Sequence, residues 1–167
     1  MKDIDVIQRQ LDRVLGFFPR VEARINGLFS VNTLILVIAA VNLSAGDLVL
    51  WYVTAPGAML VIGLLVSYFH LFKANFPDDN GGDGSLIFFK QIQQRTEVNY
   101  IAEFLACDDA KFRNDLLGQI WRNACILCVK YTRVKKAILA TAISVAPFIV
   151  FLIATATVHG RIPLLNG

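Results

Sequence analysis

Three long stretches of this chain carry no Asp, Glu, Lys or Arg: residues 25–46, 48–72 and 137–160, which are 22, 25 and 24 residues long. A helix that crosses a bilayer needs about 20 consecutive, mostly apolar residues, and each stretch meets that length. In hydrocarbon the backbone finds no water, so a crossing segment must satisfy its own N–H and C=O groups as a helix. The alternative is three core helices of a soluble protein, but such helices average only about 11–12 residues. Composition points the same way. Of 167 residues, 56% are hydrophobic and 17% charged, against about 45–50% and about 25% in soluble domains. The chain therefore reads as an all-α membrane protein with three transmembrane helices and a cytoplasmic helical bundle, the third span continuous with a long cytoplasmic helix.

Charge sets the expected topology. Five of the 16 basic residues precede residue 25, ten lie in 73–136, and one, Arg161, follows the third stretch. Lys and Arg stay on the cytoplasmic side of short loops, which places the N-terminus inside. The first 24 residues mix Asp3, Asp5, Asp12 and Glu22 with the five basic ones, unlike a secretory signal peptide. The expected organisation is 1–24 as an N-terminal amphipathic cytoplasmic helix, 25–46 as the first span and 48–72 as the second. Residues 73–136 follow as a cytoplasmic helical sensing region, 137–160 as the third span and 161–167 as an extracytoplasmic tail.

Within 3–21, Ile4, Ile7, Leu11, Val14, Phe18 and Val21 recur at spacings of 3 and 4, a helical stripe suited to a bundle or a membrane surface. Pro19 is its expected break. In the first span Asn26, Ser30 and Thr33 follow i, i+4, i+7, so one face is polar or small. Such a face packs on another helix or lines water. Leu43–Asp47 is short enough to make spans one and two a hairpin, and Trp51 and Tyr52 suit its outer interface. Gly, Asn, Asp and Pro mark 75–84 as a loop. Asp78, Asp79 and Asp83 there lack the spacing and terminal Glu of an EF-hand. Residues 85–106 are expected to be helical for much of their length, with Ile92, Val98, Ile101, Phe104 and Leu105 on the buried side. Asp108 or Asp109 can cap the next helix. Beyond them only Gly118 and Pro147 interrupt the pattern as far as Val158. That predicts one long helix, or two collinear ones, of about 50 residues and about 75 Å.

No catalytic pattern is visible. His70 and His159 lie at opposite span ends, and there is no Ser/His/Asp set at readable spacing, no H-E-x-x-H, no P-loop and no G-x-G-x-x-G. Cys125 and Cys128 form a lone C-x-x-C beside Cys107, too few ligands for a zinc site and an odd count for a disulfide framework. No enzyme activity, metal or cofactor is expected. The remaining signal is basic side chains interleaved with aromatics in 73–136. Phosphates are bound by Lys and Arg, and unpaired bases by aromatic or guanidinium faces. The candidate ligand-binding residues are Lys90, Arg95, Arg113, Gln119, Arg122, Asn123, Lys130 and Tyr131. Arg133, Lys135 and Lys136 abut the third span and suit anionic lipid heads. The segment's ten basic residues face eight acidic ones, a net charge of only +2.

A tight hairpin of two spans is followed by Ser85-Leu86-Ile87-Phe88-Phe89, then Tyr100, then Asp115-Leu116-Leu117-Gly118-Gln119-Ile120, Lys130-Tyr131 and a last span. This pattern resembles the Pycsar effector transmembrane family and the related membrane effector of the Hailong system, over most of residues 20–158. The resemblance implies a bacterial antiphage effector in the inner (cell) membrane that permeabilises the membrane under control of a nucleotide signal. The signal is a cyclic pyrimidine mononucleotide from a partner cyclase in the first case. In the second it is a single-stranded DNA oligomer from a partner nucleotidyltransferase. Three spans enclose little of a pore, so a homo-oligomer of about four copies is expected, with Asn32, Ser144 and Phe148 as candidate pore-lining residues. A non-channel membrane anchor that docks a cytoplasmic partner is the competing reading.

Overall fold

The computed structural model describes residues 3–76, 82 and 84–160. The described residues form six α-helices and no strand: α1 (Ile4–Leu15), α2 (Phe18–Asn42), α3 (Trp51–Asn75), α4 (Phe89–Gln93), α5 (Glu97–Leu105) and α6 (Asp109–Val158). A 3-10 turn, Ala45–Val49, joins α2 to α3. The acidic loop residues Asp78, Asp79 and Asp83, and the tail 161–167 with Arg161, lie outside the described residues.

Three helical stretches are long and apolar enough to cross a membrane: Ile4–Asn42, Trp51–Asn75 and Asp109–Val158. Only 17%, 28% and 22% of their most apolar windows is buried inside the chain. A soluble core would hide most of such surface. Here Leu34, Val41, Met59, Leu65, Leu139 and Ile143 point outward, as lipid-facing side chains do.

The chain divides into two compact units, Met1–Val21 with Pro77–Lys130, and Glu22–Phe76 with Tyr131–Gly167. The single 50-residue helix α6 supplies residues to both, and it continues through Pro147. In the apolar unit Ile35, Leu60 and Leu64 form a buried cluster, with Leu36, Ala39 and Phe148 packed against it. At one end of that unit the Ser44 N–H donates to the Asp47 carboxylate at 2.8 Å. His159 Nε2 lies 3.5 Å from the same carboxylate, which is almost fully buried.

In the charged unit Ile7 and Leu11 of α1 pack on Leu116 of α6, joined by Ile4, Ile87, Phe112 and Ile120. The expected break at Pro19 falls instead at Gly16 and Phe17. Glycine is a poor interior helix residue, whereas Pro19 sits in the first turn of α2, where a missing N–H costs nothing. The helical stretch expected over 85–106 is likewise split into α4 and α5. Thr96 starts α5 by accepting the Asn99 N–H at 3.3 Å. The expected buried side of that region is not covered within one chain: Val98 is 76% and Leu105 80% exposed. Asp108 caps α6 as expected, accepting the Lys111 N–H at 2.7 Å.

Candidate ligand-binding cleft

The sequence around Ser85 cannot continue a helix. Gly82 and Gly84 both take positive φ, 84° and 74°, a conformation that costs little only without a Cβ. The chain turns there, and Ser85 closes the turn. Its hydroxyl accepts the N–H groups of Ile87 at 3.2 Å and Phe88 at 3.0 Å, which sets up α4. The same hydroxyl donates to Asp115 Oδ2 at 3.0 Å. That oxygen also takes the Leu86 N–H at 2.8 Å, while Gln119 Nε2 donates to Ser85 Oγ at 3.0 Å.

Two further side chains, Arg95 and Tyr100, brace this turn. Arg95 Nη1 donates to the carbonyls of Ser85 at 3.0 Å and Gln91 at 2.7 Å, and its Nε pairs with Glu103 at 2.9 Å. The Tyr100 hydroxyl donates to the Leu86 carbonyl at 3.2 Å. Gln119 is itself buried, and Asn123 donates to its main-chain carbonyl at 2.8 Å. The motif pieces around Ser85, Tyr100 and Asp115–Gln119 thus converge on one hydrogen-bonded node. Buried polar groups of this kind are costly unless paired, and here they pair with each other.

Beside the node lies a cleft of about 260 Å³ whose walls include Gly84, Ser85, Lys111, Asn114, Asp115 and Arg122. Arg122 lies close to two glycines. A Cβ at Gly82 or at Gly118 would sit 3.3–3.4 Å from its guanidinium, so both positions leave the plane of the side chain room. Arg122 Nη2 approaches Asp115 Oδ1 only to 3.8 Å, beyond hydrogen-bond range, because Asp115 is engaged by Ser85 and Leu86 through its other oxygen. Among the described residues the Arg122 side chain makes no hydrogen bond. Two cations against one carboxylate, with a guanidinium edge that has donors to spare, form a setting for an anion.

Of the eight residues the sequence singled out, the structure brings Arg95, Gln119 and Arg122 to the node or cleft, while Asn123 donates only to a main-chain carbonyl of its own helix. Lys90 is exposed on α4, and Arg113 is half-buried on α6. Lys130 is buried, with its ammonium 5.7 Å from the Phe18 ring centroid. Tyr131 packs under Arg24, 5.7 Å from the guanidinium carbon, in the other unit. Lys111 carried only a general basic signal, and Asn114 carried none. Gly118 was legible as the lone glycine of a 50-residue helix. The role of Gly82 depends on Arg122, forty residues away, and is not visible locally.

The three pore candidates lie inside the apolar unit. Asn32 is fully buried. Its Nδ2 donates to Ser67 Oγ at 2.9 Å, and its Oδ1 accepts the Thr141 hydroxyl at 2.8 Å. Ser67 and Thr141 lie 2.9 Å apart, and Ser67 also reaches the Ala137 carbonyl at 3.1 Å. One polar node therefore ties α2, α3 and α6 together. Ser144 is buried against Gly63, where a Cβ would overlap its hydroxyl, and Phe148 packs on the Ile35 cluster. The i, i+4, i+7 face behaves differently. Asn26, Ser30 and Thr33 are exposed, and Thr33 meets the Tyr68 hydroxyl at 2.9 Å.

Three membrane-length helical stretches and a charged unit that carries a small cationic cleft define an all-helical membrane protein. The Pycsar effector protein domain matches residues 6–158, nearly the whole chain, so the chain belongs to that family. It is an antiphage-defence membrane effector, of a family that is not a known enzyme class. The family implies a cyclic-nucleotide signal from a partner cyclase. No curated protein and no solved structure matches the chain.

Proposed function

We propose that the protein is a nucleotide-controlled pore of the bacterial inner membrane, assembled from about four copies with their N-termini in the cytoplasm. The phosphate of a cyclic mononucleotide binds in the cleft on Arg122 and Lys111, with Asn114 in reach of a sugar or base. The observation that carries this reading is the Arg122 guanidinium, given room by Gly82 and Gly118 and hydrogen-bonded to nothing in the described protein. At about 260 Å³ the cleft falls just under the about 300–1,000 Å³ of pockets for drug-sized ligands, so it suits part or all of one mononucleotide and not an oligomer. Its wall is α6, which also supplies Thr141, Ser144 and Phe148, so a shift of α6 acts on the Asn32 node. Opening exchanges the Asn32–Ser67–Thr141 bonds for water, which makes Asn32, Ser144 and Phe148 the pore-lining candidates. A ligand gates only by binding one state more tightly. A population change of ~10⁴ needs about 5.5 kcal/mol, or about 1.4 kcal/mol from each of four copies.

The test is ion flux from proteoliposomes of the full chain, with cyclic pyrimidine mononucleotides, cyclic purine mononucleotides and short single-stranded DNA as separate additions. A cyclic mononucleotide is expected to change the flux, and Arg122→Ala and Lys111→Ala each to weaken the response at least tenfold. Control by DNA alone overturns the mononucleotide assignment. Absence of flux under every addition favours an anchor that docks a cytoplasmic partner.

A further inference from the structure

A second cavity, of about 420 Å³, opens in the charged unit between α1, the Ser85 turn, α5 and α6. Its α6 wall is Phe112 and Leu116. At 3.6 residues per turn these centre about 100° round the helix from Lys111, Asp115 and Arg122, so the cavity and the cleft lie on different faces of α6. Leu86 is a wall of both. The innermost walls are Leu11 and Leu116, buried members of the cluster that docks α1. Tyr100, Phe104 and Phe112 contribute three rings. The Tyr100 and Phe104 centroids are 5.9 Å apart, and those of Phe104 and Phe112 are 5.8 Å apart with the planes at 79°. On α1, Gln8 and Asp12 line the cavity one helical turn apart, and both are exposed. Among the described residues neither side chain has a hydrogen bond or an ion pair.

We propose that this cavity binds an organic ammonium ion, a positively charged nitrogen carried on an apolar body. Charge decides the sign of the ligand. Of the ten described residues in the wall, only Asp12 is charged. Its basic neighbours on α1, Arg9 and Arg13, line a different groove with Leu117 and Ile120. An anion would therefore meet a carboxylate and the negative faces of aromatic rings, with no cation to hold it. A cation is attracted by both, since ring faces draw an ammonium that comes within about 6 Å of the centroid. Ring geometry argues against a flat base as the occupant. The three rings touch one another at ordinary aromatic-pair distances, so no base fits between them, and they form a corner around a compact group instead. The volume lies within the about 300–1,000 Å³ of small-molecule pockets, enough for a whole molecule whose apolar part rests on Leu11 and Leu116. When the cavity is empty the exposed Asp12 keeps its water, so the free protein needs no ion there. The site takes a cation where the cleft takes an anion, and it does not rest on the nucleotide reading.

The probes are choline, butylammonium and 3,3-dimethylbutan-1-ol, an uncharged molecule of choline's shape. Each is titrated into the full chain in a maltoside detergent, with binding read by saturation-transfer NMR and by amide hydrogen exchange. Choline or butylammonium is expected to bind saturably and to slow exchange in α1 and α5, which the ligand would bridge. The alcohol should bind at least tenfold more weakly than choline. Asp12 and Phe104 are both exposed, so their variants are expected to fold, which unchanged exchange in α3 and α6 would confirm. Asp12→Asn and Phe104→Leu should each weaken binding of the cation at least fivefold, and Phe104→Tyr should retain it. Arg122→Ala should leave it unchanged. Equal binding of choline and the alcohol would make the cavity a purely apolar one and overturn the proposal. Undiminished binding in Asp12→Asn, loss of binding in Arg122→Ala, or absence of saturable binding by both cations also overturns it.

Discussion

Asn32 and Asp115 show how much depends on single polar side chains. In hydrocarbon an interhelical hydrogen bond is worth about 0.6 kcal/mol on average and up to about 1.7. Asn32 makes two of them. Asn32→Ala is therefore expected to lower the unfolding free energy in detergent by about 1–2 kcal/mol, read from a denaturant titration; an unchanged midpoint would mean the node is not formed. Gly63→Ala places a methyl on the Ser144 hydroxyl. It should destabilise the bundle, and Ser144→Ala in the same chain should restore much of the loss. Asp115 holds two donors of the Ser85 turn on one oxygen. Asp115→Ala strands both, at about 1–3 kcal/mol, and hydrogen exchange at residues 85–88 should rise while exchange in α3 stays constant.

At the scale of elements, the docking of α1 and the continuity of α6 matter most. α1 is held to α6 through two buried residues, Ile7 and Leu11, on Leu116. Leu11→Ala removes one of those contacts, at a cost of about 2–5 kcal/mol. Exchange of α1 amides should then approach that of a free peptide, with the spans unaffected. Retained protection of α1 would show that other contacts carry it. The periodicity of α1 was legible because its 3- and 4-residue spacing is a local property. Its end was not, because Gly16 and Pro19 compete to stop the helix, and a proline in the first turn of α2 loses that competition. The α5 expectation failed for a different reason. Periodicity marks an apolar face but not whether the same chain covers it, and in one copy of this chain nothing covers Val98 or Leu105.

For the whole molecule, the three uncharged stretches and the skewed basic residues predict that every cysteine lies on the cytoplasmic side. A membrane-impermeant maleimide added to intact spheroplasts should leave Cys125 and Cys128 unlabelled, and should label them once the membrane is permeabilised. Labelling before permeabilisation would invert the topology and remove the cleft from the compartment that holds nucleotides. What the sequence determined alone was the number of membrane-length stretches, because charge is missing from each over 20 or more consecutive residues. It left the last of them as one long helix or two collinear ones, and the structure shows the single helix α6 running through Pro147. Only the tertiary structure decided which polar residue of α2 matters. Asn26, Ser30 and Thr33 form the more regular pattern, yet Asn32 is the one enclosed, because the meeting of α2 with α3 and α6 sets which face is inside. It likewise decided that Ser85, Asp115, Gln119 and Arg122 share a site. Asp115, Gln119 and Arg122 share one face of α6 at i, i+4, i+7, but Ser85 reaches Asp115 and Gln119 across thirty or more positions, and no spacing rule reaches that far.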